Sequence, residues 1–474
     1  MQDTKLHVLL GRFRIYELNR LQKFILSPYH NEDKDLVRLY QYILPFYKEG
    51  RSDAPDRNKI WKKIYPSLPY TNLKFARLLS DLFKKIEGFL AIEKLRQRPV
   101  DENTLILETY NDLRLGKHFT EPYLSALQKL SRQPHRDSDF HYQSFRLNAQ
   151  QNSFLENKKE RATEKNLMQT IESLDNFYLI NKLRFCAAVL HYKHFLSVRD
   201  ETILLKEILD YLQNNPPLGS PAIAVYHLIL LTLKEPDDES HFAGLKQQLA
   251  DHSEQLELST QLDALDYALN YCIRKINSGQ VRYQNEVLSL YKYALDKELL
   301  YDKGILSPWD YKNITTIALR NKEYKWAVSF LDKYRDKLPK ADRANAYTFN
   351  QARYYFATRK FDKVLELLQG VEYSDVFYLL DSKTTLMKTY YELGEYQPLQ
   401  SLKESFRILL RRKKLISEQN RANYGNFARF AMKLYRVDVK NKAQLTTLRK
   451  EIERTGNVAD RGWILEKLYE LSPQ

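Results

Sequence analysis

The sequence predicts an all-α chain, and three observations carry that reading. Glycine is scarce, at 13 of 474 residues, which argues against all-β folds and against Gly-rich nucleotide-binding loops. Apolar residues recur at intervals of three and four along most of the chain, the spacing that gathers them on one helix face. Breaks rich in proline, glycine and charge separate these stretches at helical lengths, and no run alternates apolar and polar residues as a half-buried strand would. At 474 residues the chain exceeds what one compact core holds, so its length implies several domains or a repeat array.

Taken in order, the elements begin with Leu36, Leu39, Tyr40, Ile43 and Leu44, one apolar stripe that Pro45 is expected to end. Pro28, Pro45, Pro66 and Pro69 are expected to cut the first 70 residues into short helices, because a proline inside a helix loses a hydrogen bond and clashes with the preceding turn. After the polar stretch KEGRSDAPDRN (48–58), the residues Leu78, Leu79, Leu82, Phe83, Ile86, Phe89 and Leu90 form one long apolar face. Residues 150–166, QQNSFLENKKERATEKN, read either as a helix with little buried surface or as a loop. Further breaks at 131–139, 214–221, 234–240, 277–280, 302–308 and 336–342 leave room for about twenty helices. The expected organisation is a basic N-terminal helical domain (1–130), an irregular helical-repeat region (140–300), a run of repeats (305–412) and basic C-terminal capping helices (413–474).

The repeats show in three short stretches, NKEYKWA (321–327), TRKFDKV (358–364) and LGEYQPL (393–399). Each places an aromatic three residues before an aliphatic: Tyr324 and Ala327, Phe361 and Val364, Tyr396 and Leu399. The aromatics lie 37 and 35 residues apart by position. Six residues before them stand Ala318, Tyr355 and Tyr390; two before them stand Lys322, Arg359 and Gly394. Pro339 closes the first copy. A fainter unit, RYQNEVLSLYKYAL (282–295), precedes these three. The pattern resembles a degenerate tetratricopeptide repeat, whose period is about 34 residues. The departures are the bulky Val364 and Leu399, and Tyr334, Val371 and Phe406 at the next small position. A two-helix unit cannot bury both of its apolar faces alone, so such units stack. The resemblance therefore implies a right-handed α-solenoid of helix pairs following the N-terminal helical domain. Gly394 suits a left-handed helix cap, and Pro398 suits the first turn of the helix after it.

In repeats of this kind the first helix of each pair lines a concave groove, and some members hold a peptide's C-terminal carboxylate there with Lys and Asn. The matching positions are Lys312 and Asn313, Asn350 and Arg353, and Lys388. Thr316, Asp381 and Thr385 depart from that clamp, so the resemblance implies a groove for a protein partner presenting an acidic or extended peptide. No cofactor, metal or small-molecule substrate is expected. His191 and His194 share a helix face at i, i+3 but lack a third donor, and no phosphate-binding loop or nucleophile elbow is present in the sequence. Cys186 and Cys272 sit within apolar helical patterns and read as buried hydrophobes of a reducing compartment. The start, MQDTKLHVLLGRF, has too short an apolar stretch for a signal peptide, and AIAVYHLILLTL (222–233) falls short of the ~20 residues that span a bilayer. The expected setting is cytoplasmic, away from the membrane.

Net charge is +15, unevenly spread. Residues 1–100 hold 20 Lys and Arg against 11 Asp and Glu, residues 401–474 hold 17 against 8, and residues 101–400 hold 38 against 41. Basic ends permit an acidic partner, nucleic acid included. The run Arg407, Arg411, Arg412, Lys413 and Lys414 could contact phosphate, or could simply complement a helix C-terminus. Tyr424, Phe427 and Phe430, beside Arg421, Arg429 and Arg436, suit base stacking or the core stripe of a capping helix. The functional expectation is a non-enzymatic helical-repeat scaffold or adaptor, with a nucleic-acid-associated protein as the alternative.

Overall fold

The computed structural model describes residues 4–50, 55–161, 163–192, 202–216, 219–369, 375–412 and 416–471. His194, Val371, Lys413 and Lys414 lie outside the described residues. The protein is all-α: among the described residues there are 23 α-helices, one 3₁₀ turn and one hairpin of two-residue strands. The chain forms two compact units, residues 1–185 and 186–474.

Unit 1 contains α1 (Lys5–Leu10), α2 (Ile15–Leu26), α3 (Lys34–Lys48), α4 (Arg57–Ile64), α5 (Asn72–Arg96), α6 (Pro99–Asp112), α7 (Gly116–Ser131), α8 (Ser138–Asn157) and most of α9 (Glu164–Tyr192). The stripe from Leu36 to Leu44 is buried against Leu18, Leu21, Leu82 and Ile86, and the Tyr40 hydroxyl donates to the Leu18 carbonyl at 2.9 Å. Pro45 does not end this stripe: α3 continues to Lys48. The missing N–H falls in the last turn, and that turn is held from both sides. Leu44 and Tyr47 are buried in the core, and the Tyr47 hydroxyl bonds the His7 ring Nδ1 at 2.9 Å. A second core joins α6, α7 and α8, where Phe119 stacks on Phe154 at 4.1 Å between centroids. Within the polar stretch 150–166, residues 150–157 end α8, 158–159 turn, and 164–166 begin α9.

Unit 2 contains α10 (Leu205–Asn214), α11 (Pro221–Lys234), α12 (Glu239–His252), α13 (Leu258–Asn277), α14 (Tyr283–Asp296), β1 (Tyr301–Asp302), β2 (Ile305–Leu306), α15 (Pro308–Arg320), α16 (Tyr324–Tyr334), α17 (Arg343–Ala357), α18 (Phe361–Leu368), α19 (Val376–Leu393), α20 (Tyr396–Arg412), α21 (Glu418–Arg436), α22 (Lys442–Arg454) and α23 (Arg461–Leu471). The two strands were not anticipated by the sequence. They pair antiparallel around Lys303 and Gly304, both at positive φ, the geometry of a tight two-residue hairpin turn.

From α15 onward the packing is regular. Helices α15, α17 and α19 each lie against a partner, α16, α18 and α20, and the first helices follow one another: α15 on α17, α17 on α19, α19 on α21 and α21 on α23. The three sequence repeats coincide with three helix pairs, and Tyr324, Phe361 and Tyr396 each open the second helix. The turn before each is built identically. Lys322, Arg359 and Gly394 all adopt left-handed backbone, with φ of 59°, 58° and 75°. Their N–H groups reach back to the carbonyls of Leu319, Phe356 and Tyr391, while the next residues, Glu323, Lys360 and Glu395, reach Ala318, Tyr355 and Tyr390. That pair of bonds is the Schellman cap, which satisfies carbonyls left open at a helix end. Ala327, Val364 and Leu399 are fully buried in their pairs. The adjacent-helix packing is compatible with a helical repeat.

Candidate functional site

Thr316 on α15, Arg353 on α17 and Lys388 on α19 occupy equivalent places, 37 and 35 residues apart, the spacing of the turn aromatics. All three line one cavity of about 1050 Å³, together with Arg320, Glu392 and Asp460. A recess of about 140 Å³ shares Arg320, Arg353, Thr385, Lys388 and Asp460 with it and adds Asp381 and Tyr424. The first helices of successive pairs thus furnish one wall, and the turn leading into α23 furnishes another.

Two of the cations at this site are matched within the protein. Lys312 pairs with Asp381, and Tyr424 donates to the other oxygen of that carboxylate at 2.6 Å. Lys312 also lies over the rings of Trp309 and Tyr378, at 4.9 and 5.5 Å. Lys388 pairs with Asp460 at 2.6 Å and sits 4.7 Å over the Phe356 ring. Burial pushes the Asp460 carboxyl up, but Lys388, Arg353 and Arg320 outweigh it and hold the group below its ordinary range. Burial, then Asp381, push the Tyr424 hydroxyl well above its ordinary range, so it remains a donor. On the far side of the cavity Lys467 bridges Glu392 and Glu470, each at 2.8 Å. Burial disfavours its charge and the two carboxylates outweigh that effect, raising its pKa.

The two guanidinium groups differ from these lysines. Arg353 donates one N–H to the Thr316 hydroxyl at 2.5 Å. The Thr316 hydroxyl in turn donates to the Lys312 carbonyl at 2.6 Å. Burial lowers the Arg353 pKa, and Asp381 and Asp460 act against that; an arginine stays charged regardless. Neither Arg353 nor Arg320 has a carboxylate within ion-pairing distance among the described residues. Four cations, Lys312, Arg320, Arg353 and Lys388, face two carboxylates, which leaves two positive charges unmatched.

Of the groove residues named from the sequence, Arg353 and Lys388 line the cavity and Lys312 joins its ion network. Asn350 does not face it: the side chain is fully buried and donates to the Ala346 carbonyl one turn back, at 2.8 Å. Asn313 is exposed and lies beside the Tyr291 hydroxyl of α14. Of the departures from a carboxylate clamp, Thr316 accepts from Arg353 and Asp381 pairs with Lys312, while Thr385 lines the recess and donates to the Asp381 carbonyl at 2.9 Å. In the basic run, Arg407 pairs with Glu404 at 2.9 Å, and Arg411 and Arg412 are exposed in the last turn of α20. Phe427 and Phe430 are fully buried in the terminal core, the capping-helix alternative.

Sequence reasoning missed Arg320 and Asp460. Arg320 was within reach, since it follows Lys312 and Thr316 at steps of four residues on one helix face. Asp460 carried no signal, being a loop residue 72 positions from Lys388. The grouping of Glu235, Asp238 and His241 was also missed. Its groups have protein partners: His241 Nε2 bonds Glu235 at 2.9 Å, and Asp238 caps α12 through the Ser240 N–H at 2.9 Å. Compared with known proteins, the chain matches no protein-family model, no curated protein and no solved structure.

Proposed function

We propose that unit 2 is a non-enzymatic adaptor of the α-solenoid, tetratricopeptide-like kind, which holds an acidic peptide of a partner protein against the first helices of its pairs. The observation that supports it is the cavity with two unmatched guanidinium groups on α15 and α17. Arg353 is partly buried and Arg320 exposed at the mouth; a partly desolvated cation without an anionic partner is unfavourable, and an anionic ligand relieves it. The volume suits a ligand larger than a single ion, since pockets for drug-sized ligands run about 300–1,000 Å³. Phe356, Phe361 and Trp463 line the same space and offer apolar surface to flanking side chains. Cys186 and Cys272 are buried and unlinked, and burial pushes the Cys272 thiol up to about 12, in keeping with a cytoplasmic setting. No helix among the described residues is long and apolar enough to cross a membrane. A nucleic-acid role draws less support, because the rings that would stack bases are core side chains.

The test is selection from a random 12-residue peptide library on the full-length protein, wild type against Arg320→Gln. Arg320 is exposed and the amide sets no new carboxylate beside Asp460, which keeps its Lys388 partner, so the core stays intact. The expected result is enrichment of Asp- and Glu-rich sequences by the wild type and loss of that enrichment in the variant, with unchanged circular dichroism. Enrichment of uncharged or basic sequences, or equal recovery by the variant, would overturn the reading.

A further inference from the structure

We propose that the recess between Arg320 and Arg353 is a site for a phosphoryl group, so that the peptide held by unit 2 is a phosphorylated one. This rests on the adaptor reading and narrows it to one anchor chemistry. Each carboxylate at the site already has an ammonium partner, Asp381 with Lys312 and Asp460 with Lys388. What remains is two guanidinium groups and an excess of two positive charges around about 140 Å³. A carboxylate side chain would match one of them. A phosphorylated serine or threonine carries about −1.5 to −2 at neutral pH and three strong acceptor oxygens, which matches both the charge and the number of donors.

The donors have the right form. Guanidinium groups present parallel N–H pairs that meet phosphate oxygens two at a time. Arg353 has committed one N–H to Thr316, which fixes the orientation of its planar group and leaves other donors for a ligand. The bond is equivalent to a support behind the binding group, and Thr316 is itself anchored to the Lys312 carbonyl. Asp381 and Asp460 keep the neighbouring lysines from folding over the recess. Water fits here, and so does a tetrahedral anion: one water needs only about 10–15 Å³ by the same measure.

A peptide is favoured over a free small phosphate by what surrounds the recess. The larger cavity shares five of its residues and extends from it along Phe356, Phe361 and Trp463. That surface has no use for a lone ion and suits the residues flanking a phosphorylated side chain.

The experiment measures binding of the full-length protein to acidic peptides recovered from the library, each synthesised with Ser, Glu or phosphoserine at one central position. Inorganic phosphate is the competitor, and chloride at matched ionic strength the control. Arg320→Gln and Arg353→Lys are run beside the wild type, the second keeping the charge and removing the planar fork. Phosphoserine forms are expected to bind about tenfold or more tighter than Glu forms, and that preference to fall about tenfold in either variant. Inorganic phosphate should displace the wild-type complex at concentrations where chloride does not. Equal binding of Glu and phosphoserine forms overturns the phosphoryl site and leaves the acidic-peptide adaptor standing. Binding of inorganic phosphate with no peptide of any form overturns the peptide as its source, and the adaptor reading with it. A phosphoserine preference that survives in both variants places the phosphate elsewhere and overturns this site.

Discussion

Replacing Asp381 by Asn keeps the shape of the side chain and removes the charge on which α15, α19 and α21 converge. Lys312 reaches it from 69 positions earlier and Tyr424 from 43 later. Breaking a buried ion pair by deleting one partner costs about 3–5 kcal/mol. The side chains here are 13% and 25% exposed, so water recovers part of that. The rings of Trp309, Phe349 and Tyr378 around the Lys312 ammonium and the remaining amide oxygen recover more, the rings by about 0.5–1 kcal/mol. We expect a loss of about 2–3 kcal/mol, equal to roughly 5 °C in the melting temperature of a unit of this size. Urea unfolding followed by tryptophan fluorescence reads the right part of the chain, since Trp309, Trp326 and Trp463 lie in unit 2 and only Trp61 in unit 1. The decisive measurement is the double-mutant cycle with Lys312→Met, in which the pair should show a coupling of about 1–2 kcal/mol. Coupling below about 0.5 kcal/mol would mean that Lys312 and Asp381 do not depend on each other, and the account of which cations are matched would fail.

The repeated turn gives a pair of outcomes with opposite signs: Gly394→Ala should destabilise by about 1 kcal/mol, because φ of 75° strains any residue with a Cβ. Lys322→Gly and Arg359→Gly, at 59° and 58°, should each leave stability unchanged or raise it by up to about 1 kcal/mol in chemical denaturation. Phe427→Ala should cost about 3–5 kcal/mol, since the ring is fully buried between α21 and α23; an exposed base-stacking ring would cost little. In unit 1, burial, then Arg136, lower the His141 pKa from 6.5 to about 4. Between those values the unfolded chain takes up a proton that the folded imidazole does not. Stability present above pH 6.5 is therefore lost as the pH falls toward 4. For a partly exposed ring the loss should be about 1–2 kcal/mol, and urea midpoints at both ends of the window should show a smaller drop in His141→Gln.

The helices were legible because each has a local cause. Leu36 to Leu44 share a face by spacing alone, and Tyr324, Phe361 and Tyr396 mark helix starts because each follows a turn of fixed length. The repeated cap was only half legible. Gly394 announced left-handed backbone, whereas Lys322 and Arg359 adopt the same conformation without a residue type that favours it. Their helices are held by the buried Ala318 and Ala327 in one pair and Ala352 and Val364 in the next, so packing imposes the strain. Pro45 misled for the same reason: a local rule against proline lost to the burial of Tyr47 two residues later.

The site was legible as a set of positions and illegible as a pattern of charge. Periodicity identifies which face of α15, α17 and α19 a residue occupies, so Lys312, Arg353 and Lys388 could be grouped. It does not say what stands opposite, and the carboxylates opposite come from α19 itself and from a loop 72 residues after Lys388. The segment charges did not disclose the cavity for a related reason. They drew attention to the ends, +9 and +9, and away from a middle of −3, although all four cations of the site, Lys312, Arg320, Arg353 and Lys388, lie in that middle. Net charge averages over matched and unmatched groups alike. Lys312 and Lys388 are the most conspicuous cations of the groove and are neutralised in place. Arg320, which no motif singles out, has no carboxylate within ion-pairing distance among the described residues: its equivalents in the next two pairs are Ala357 and Glu392, and Glu392 is spent on Lys467. Reversal of Lys312 and Lys388 would consequently bring carboxylates against Asp381 and Asp460 and report on folding. Arg320→Gln, which adds no carboxylate beside Asp460, is the variant expected to report on binding.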